Sequence, residues 1–264
     1  MTVIYAIANQ KGGVGKTTTS VNLAASLAAT RKRVLVIDMD PQGNATMGSG
    51  VNKHAVEYTT ADVLLDRAPV RDVMVEAPNG GYRVLPGNNA LTVAEVELVT
   101  EIAREFRLRQ ALEPVQADFD FIIIDCPPSL NTLTVNALVA AHGVIIPMQC
   151  EYYALEGLSA LVKTIQRIRQ TANPRLRVSG LLRTMYDPRN NLSHDVSEQL
   201  TRHFGEQVFR TIIPRNVTLA EAPSHGKPVL QYDKSCRGAA AYLALAGELL
   251  RRNAASGSNR QPAP

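Results

Sequence analysis

Residues 3–20 read VIYAIANQKGGVGKTTTS. Val3–Ala8 is a short apolar run rich in β-branched residues, and it reads as a buried strand. It runs into a glycine-rich turn, then Lys16-Thr17 and a segment with Val21, Leu23, Ala24 and Leu27 on a helical stripe. A strand, a glycine-rich turn and a helix opening on Gly15-Lys16-Thr17 is the context in which such a turn binds phosphate. Glycine permits positive φ and lets backbone N–H groups close around phosphate oxygens. The helix N-terminus adds partial positive charge. Gly12, Gly13, Val14, Gly15, Lys16, Thr17 and Thr18 are therefore the expected phosphate contacts. Lys16 is expected at the β- and γ-phosphates, the Thr17 hydroxyl on Mg²⁺ and Thr18 at the α-phosphate.

The rest of the chain supplies matching elements. Arg33–Asp38, Phe119–Asp125, Gly143–Gln149, Val178–Thr184 and Val208–Ile213 read as further buried strands. Leu155, Leu158, Leu161, Val162, Ile165 and Ile168 recur at spacings of three and four, as do Leu192, Val196, Leu200 and Phe204. Continuous apolar strands alternating with amphipathic helices predict an α/β fold: a mostly parallel twisted sheet with helices on both faces. Ligands bind such sheets at the carboxyl ends of the strands. Residues 50–95 are less regular and predict a peripheral lobe of short helices with one strand at Tyr82–Leu85. Residues 1–252 are expected to form one domain, and residues 253–264, NAASGSNRQPAP, a disordered polar tail.

Carboxylates end two of the strands. Asp38 and Asp40 lie in VIDMDPQGNAT, where Pro41 and Gly43 suit a switch loop beside the phosphate turn. Asp40 is the expected orienter of an attacking water, since phosphoryl transfer needs positioning more than a strong base. Asp125 ends FIIID, and with Thr17 and Asp38 it makes the expected metal side. A lone strand-terminal Asp is as readily a turn former; three beside a phosphate turn point to metal and water.

Composition sets limits. The 264 residues are 45% hydrophobic, and no apolar stretch approaches the about 18–20 residues of a membrane span. The N-terminus lacks a basic leader and runs directly into the motif, so no cleaved signal is expected. Cys126, Cys150 and Cys236 are far apart, which predicts reduced thiols and a cytoplasmic protein. Net charge is +4, but residues 1–162 carry −5 and residues 163–264 carry +9. A basic half on an acidic chain suggests a polyanion surface.

The turn departs from the plain phosphate-loop pattern, which wants glycine where this chain has Gln10, and it carries an additional Lys11. In K-G-G-V-G-K-T the sequence resembles the deviant Walker A ATPases, a P-loop NTPase family that includes ParA/Soj partition proteins, MinD and the nitrogenase iron protein. The resemblance implies that Lys11 reaches across a nucleotide-sandwich dimer to the partner's ATP, much as an arginine finger acts in trans. DMDPQGNAT, IIIDCPPSL, VNAL, PMQCEYYALEGL and IPRNVTLAEAPSHGKPV resemble the ParA/Soj branch and span most of residues 1–245. By that resemblance Pro214 and Asn216 frame adenine, and Arg189 matches a DNA-contact position. Arg215, Lys227 and Arg237 extend a basic patch. Thr218 stands where close relatives often carry a basic residue, so one phosphate contact is expected to be missing or moved to Arg215. No aromatic cluster interleaves with these arginines, which favours phosphate tracking over base stacking.

The implied function is an ATP- and Mg²⁺-dependent partition ATPase, weak alone. An ATP-bound homodimer holds double-stranded DNA without sequence preference, and a ParB-type centromere-binding protein stimulates hydrolysis and release. The implied location is cytoplasmic and nucleoid-associated, without membrane contact. The same family offers two alternatives: a MinD-like membrane-associated positioning ATPase and an iron–sulfur scaffold ATPase. The first needs a terminal amphipathic helix, whereas Leu243, Leu245, Leu249 and Leu250 read as a last core-packing helix. The second needs bridging cysteines, and Cys126 reads as an ordinary buried thiol. A third reading, an enzyme that phosphorylates or ligates a small molecule, lacks a legible second-substrate pocket.

Overall fold

The structure is a computed structural model that describes residues 2–151 and 154–258. Among these residues eight strands form one sheet: β1 (Val3–Ile7), β2 (Val34–Asp38), β3 (Val75–Glu76), β4 (Arg83–Leu85), β5 (Phe121–Asp125), β6 (Gly143–Gln149), β7 (Arg177–Tyr186) and β8 (Val208–Pro214). Their spatial order is β3-β4-β2-β5-β1-β6-β7-β8, parallel throughout except for the short antiparallel edge strand β3. This is the expected α/β architecture.

The strands alternate between two cores because successive side chains point to opposite faces. Ile4, Ala6, Leu35, Ile37, Ile122 and Ile124 face one side. That side is covered by α3 (Thr60–Leu64), α5 (Ala90–Glu97), α6 (Arg107–Leu112), α7 (Thr132–Ala140), α8 (Ala154–Thr171) and α9 (Asn191–Phe204), with α4 (Val70–Val73) at its edge. Tyr5, Ile7, Val34, Val36 and Ile123 face the other. There lie α1 (Lys16–Ala29), α2 (Asn44–Gly48), α10 (Val217–Glu221), α11 (Val229–Tyr232) and α12 (Arg237–Ser258). Both faces are thus dry, which is why the strands read as unbroken apolar runs.

Residues 50–95 hold the expected short helices, and the strand expected at Tyr82–Leu85 is β4, but that strand is part of the main sheet. Val84 and Leu85 are apolar on both faces and fully buried, and their strand pairs in parallel with β2, Leu35 opposite Arg83 and Ile37 opposite Leu85. Left as a lobe, these side chains and the β2 edge would face water. The segment expected as a tail is helical through Ser258, because α12 continues past Arg252. Asn253 is tied down there by the Tyr5 hydroxyl, which donates to its Oδ1 at 2.7 Å. Residues 259–264 lie outside the described residues, as do Tyr152 and Tyr153.

The last helix packs as expected, with Tyr242, Leu245 and Leu249 buried and Leu243 partly exposed. No described helix is long and apolar enough to cross a membrane. Leu245 is fully buried against the sheet. Leu245→Ala is expected to cost about 2–5 kcal/mol of stability, measured by urea unfolding, through lost burial and the cavity left behind.

Candidate active site

The glycine-rich turn joins the centre of the sheet to α1. Gly13 and Gly15 adopt φ of +73° and +84°, the left-handed region that side chains resist. Gly15 carries the chain into the helix, its carbonyl accepting the first helical bond from the Thr19 N–H at 2.9 Å. Asn9 braces the turn: its amide donates to the Pro147 carbonyl at 2.7 Å, and its Oδ1 accepts from the Lys11 N–H.

The two lysines of the turn face different surroundings. Lys16 is buried and folds back across the loop, donating to the Lys11 carbonyl at 3.2 Å. Burial pulls its ammonium below the usual range, opposed by the nearby Asp125 and Asp40 charges. Lys11 is 43% exposed and its ammonium pairs with Glu151, which is itself half exposed. Sequence reading assigned Glu151 no role.

Asp38 and Asp125 occupy paired positions at the ends of neighbouring strands and are fully buried. Asp125 is gripped from α1. The Thr17 hydroxyl donates to its Oδ2 at 2.8 Å and the Ser20 hydroxyl to its Oδ1 at 2.7 Å. Ser20 was missed, although it lies one helical turn beyond Thr17 and so on the same face. Asp38 is gripped from the loop after β2, by the Asp40 N–H at 3.2 Å and by the Thr46 N–H and hydroxyl at 2.8 and 2.7 Å. Burial pushes both carboxyls up, and Asp38 raises Asp125 further. Asp40 is nearly buried, and its Oδ1 accepts from the Gln42 N–H at 2.9 Å in a tight turn.

Thr17 and Asp125 present two hard oxygens in contact beside the lysine. Among the described residues no cluster of three or more His, Cys, Asp or Glu side chains forms a metal cage. One carboxylate plus one hydroxyl suits magnesium, which keeps water and phosphate oxygens as its remaining ligands.

A cleft of about 670 Å³ opens beside the turn, lined by Gly15, Thr18, Pro214, Asn216 and Tyr242 among others. The structure therefore brings the expected base-binding residues to the phosphate turn, across some 200 residues of chain. The side-chain Oδ1 of Asn216 caps α10 by accepting from the Leu219 N–H at 3.1 Å. A wider groove of about 1280 Å³ lies between the starts of β7 and β8 and α12, away from the turn.

Arg189 and Arg215 follow β7 and β8; Arg189 contacts Asp187, and Arg215 acts on that carboxyl through its charge. Arg189 makes a two-pronged ion pair with it while remaining 88% exposed, and both arginines hold its carboxyl down, to about 2. Lys227 precedes α11 and Arg237 opens α12; no hydrogen bond or ion pair among the described residues joins them to that pair. Thr218 is half-buried in α10. The three cysteines are free, and burial pushes the Cys126 thiol up.

A phosphate-cradling turn on an inner strand of a parallel sheet, with a buried lysine turned into it, places the chain among the P-loop nucleotide-binding proteins. The AAA domain family matches residues 1–178. The chain is 54% identical to the sporulation initiation inhibitor protein Soj of Bacillus subtilis, over 93% of this chain and 97% of that one. It is 51% identical to the chromosome partitioning protein ParA of Myxococcus xanthus, over 98% and 92% of the two chains. Among solved structures it resembles a cobyrinic acid a,c-diamide synthase from Mycobacterium smegmatis with bound ADP and magnesium, at TM-score 0.85, 38% identity and 97% coverage of both chains. The chain belongs to the ParA/Soj family of chromosome-partitioning ATPases.

The raised carboxyls predict a pH dependence. A proton is held more tightly by the folded than the unfolded chain, so this contribution to stability is full in acid and is lost as pH rises through the raised values. Metal- and nucleotide-free protein is expected to lose on the order of 1–2 kcal/mol between about pH 5 and about pH 8 relative to Asp125→Asn, followed by chemical denaturation.

Proposed function

We propose that this chain is an ATP-driven partition switch whose ATP-bound form is a sandwich dimer. The cofactor set is ATP and Mg²⁺. Lys16 and the backbone of residues 12–18 hold the phosphates. Thr17 and Asp125 hold magnesium, which when bound neutralises charge on the β- and γ-phosphates. Pro214 and the side-chain NH₂ of Asn216 frame adenine in the cleft, since the Oδ1 of Asn216 is engaged as a helix cap. Asp40 orients the attacking water. Water adds to the γ-phosphorus as the bond to the β-phosphate oxygen breaks, and the water's proton leaves with phosphate.

One observation carries the dimer: a single turn presents one lysine buried and folded over the loop and another half exposed and paired with Glu151. A single active site has use for the first. In this reading the second leaves Glu151 to serve a neighbouring subunit's triphosphate, so ATP occupancy and assembly are linked. The dimer holds DNA through phosphate contacts from Arg189 and Arg215, extended by Lys227 and Arg237, and a ParB-type partner stimulates hydrolysis in the nucleoid-bound state. The 51–54% identity to proteins named ParA and Soj supports this reading over a small-molecule ligase or a membrane or iron–sulfur relative.

Lys11→Ala is expected to bind ATP within about threefold of wild type while losing ATP-dependent dimers and at least about tenfold of stimulated turnover. Light scattering and nucleotide titration check it; an unaltered dimer removes the basis of the proposal. Arg189→Glu is expected to weaken DNA binding by about tenfold or more and to flatten its salt dependence, with dimerisation intact. Fluorescence anisotropy across a salt series measures both effects, and unaltered affinity would take Arg189 out of the DNA surface.

A further inference from the structure

We infer that Thr46 is a positioning residue for ATP hydrolysis: it anchors the turn bearing Asp40 to buried Asp38 and clamps that turn against Gly87. The inference rests on the hydrolytic reading above and moves Asp38 from the metal side, where the sequence placed it, to the switch turn.

The two buried carboxylates are partitioned between different elements. Among the described residues, every side-chain hydrogen bond to Asp125 comes from α1, through Thr17 and Ser20. Among the described residues, the donors to the Asp38 carboxylate come from residues 40 and 46. A carboxylate offers about four lone-pair sites, and donors of this loop take three of those on Asp38, two on Oδ2 and one on Oδ1. Its hydrogen bonding is thus mainly to the loop that carries Asp40.

The Thr46 hydroxyl completes the linkage. It donates to Asp38 Oδ2 at 2.7 Å and accepts from the Gly87 N–H at 2.8 Å. Gly87 lies just after β4, so the hydroxyl ties the end of β2, the switch turn and the β4–α5 loop into one unit. Two glycines allow that closeness. A Cβ on Gly87 would lie 2.6 Å from the Asp38 carbonyl, and one on Gly43 would lie 2.5 Å from the Gly87 carbonyl. Gly43 also sits at φ +61° and donates its N–H to the Asp40 carbonyl at 2.8 Å. The Asp40 turn is therefore backed by main chain on one side and a buried carboxylate on the other. Small displacements of a group that orients a reactant cost large factors in rate, so a hydroxyl fixing this turn acts on turnover through Asp40.

The test compares Thr46→Val, Thr46→Ala and Thr46→Ser with wild type. Val and Ala delete the hydroxyl and Ser keeps it. The expected result is a kcat lower by about tenfold or more in Val and Ala, KM for ATP within about twofold, and Ser within about threefold of wild type. Amide hydrogen exchange over residues 40–47, measured without nucleotide, should be about tenfold faster in Val and Ala and near wild type in Ser. Wild-type kcat in Val and Ala overturns the inference; so does equal loss in Ser, which would assign the effect to packing of the methyl group. Should Val misfold, the Ala–Ser pair carries the comparison. Wild-type protein that hydrolyses no ATP would defeat the functional reading instead, and the exchange data would still decide whether Thr46 fixes the turn.

Discussion

Two carboxylates with no exposure to water end adjacent central strands, and the catalytic end of the molecule is organised around keeping them there. Removing a carboxylate from water is costly unless hydrogen bonds replace hydration. Here each is supplied with its own donors: hydroxyls of the first helix for Asp125, the switch turn for Asp38. The phosphate turn and the switch are thereby registered to the sheet through different acids. Burial raises the proton affinity of both, Asp38 raises that of Asp125 further, and the surrounding β-ladder holds the two side by side.

The sheet makes this possible by being dry on both faces. Tyr5 and Ile7 pack on one core while Ile4 and Ala6 pack on the other. A strand so committed cannot slip by one residue without turning its side chains to the wrong core. The turn that follows β1 therefore starts from a fixed point, and the positive-φ glycines at 13 and 15 begin where the phosphate cradle requires them.

The central strands, the phosphate turn and the carboxylates at strand ends were legible because each leaves a local mark: β-branched runs, a glycine–lysine motif, an Asp before a turn. Recognition of the family on quoted stretches added Lys11, Pro214 and Asn216, which spacing alone does not assign. What escaped depends on contacts distant in sequence. β4 looked peripheral because nothing in three residues announces a pairing with β2, some fifty positions earlier. Thr46 looked like an ordinary loop residue because its partners are Asp38 and Gly87. Glu151 acquires a meaning only when folding brings Lys11 to it. The small polar composition after Asn253 suggested disorder, yet the helix continues there because Asn253 finds Tyr5 at the start of the chain.

Cys126 follows Asp125 directly, yet it is sealed, with no exposure and its proton held tightly. Only a thiolate reacts readily with alkylating reagents or peroxide, so this sulfur is inert while the sheet is closed. Its rate of modification is consequently a clock for breathing motions of the central strands, ticking independently of whatever happens at the surface where the nucleotide arrives.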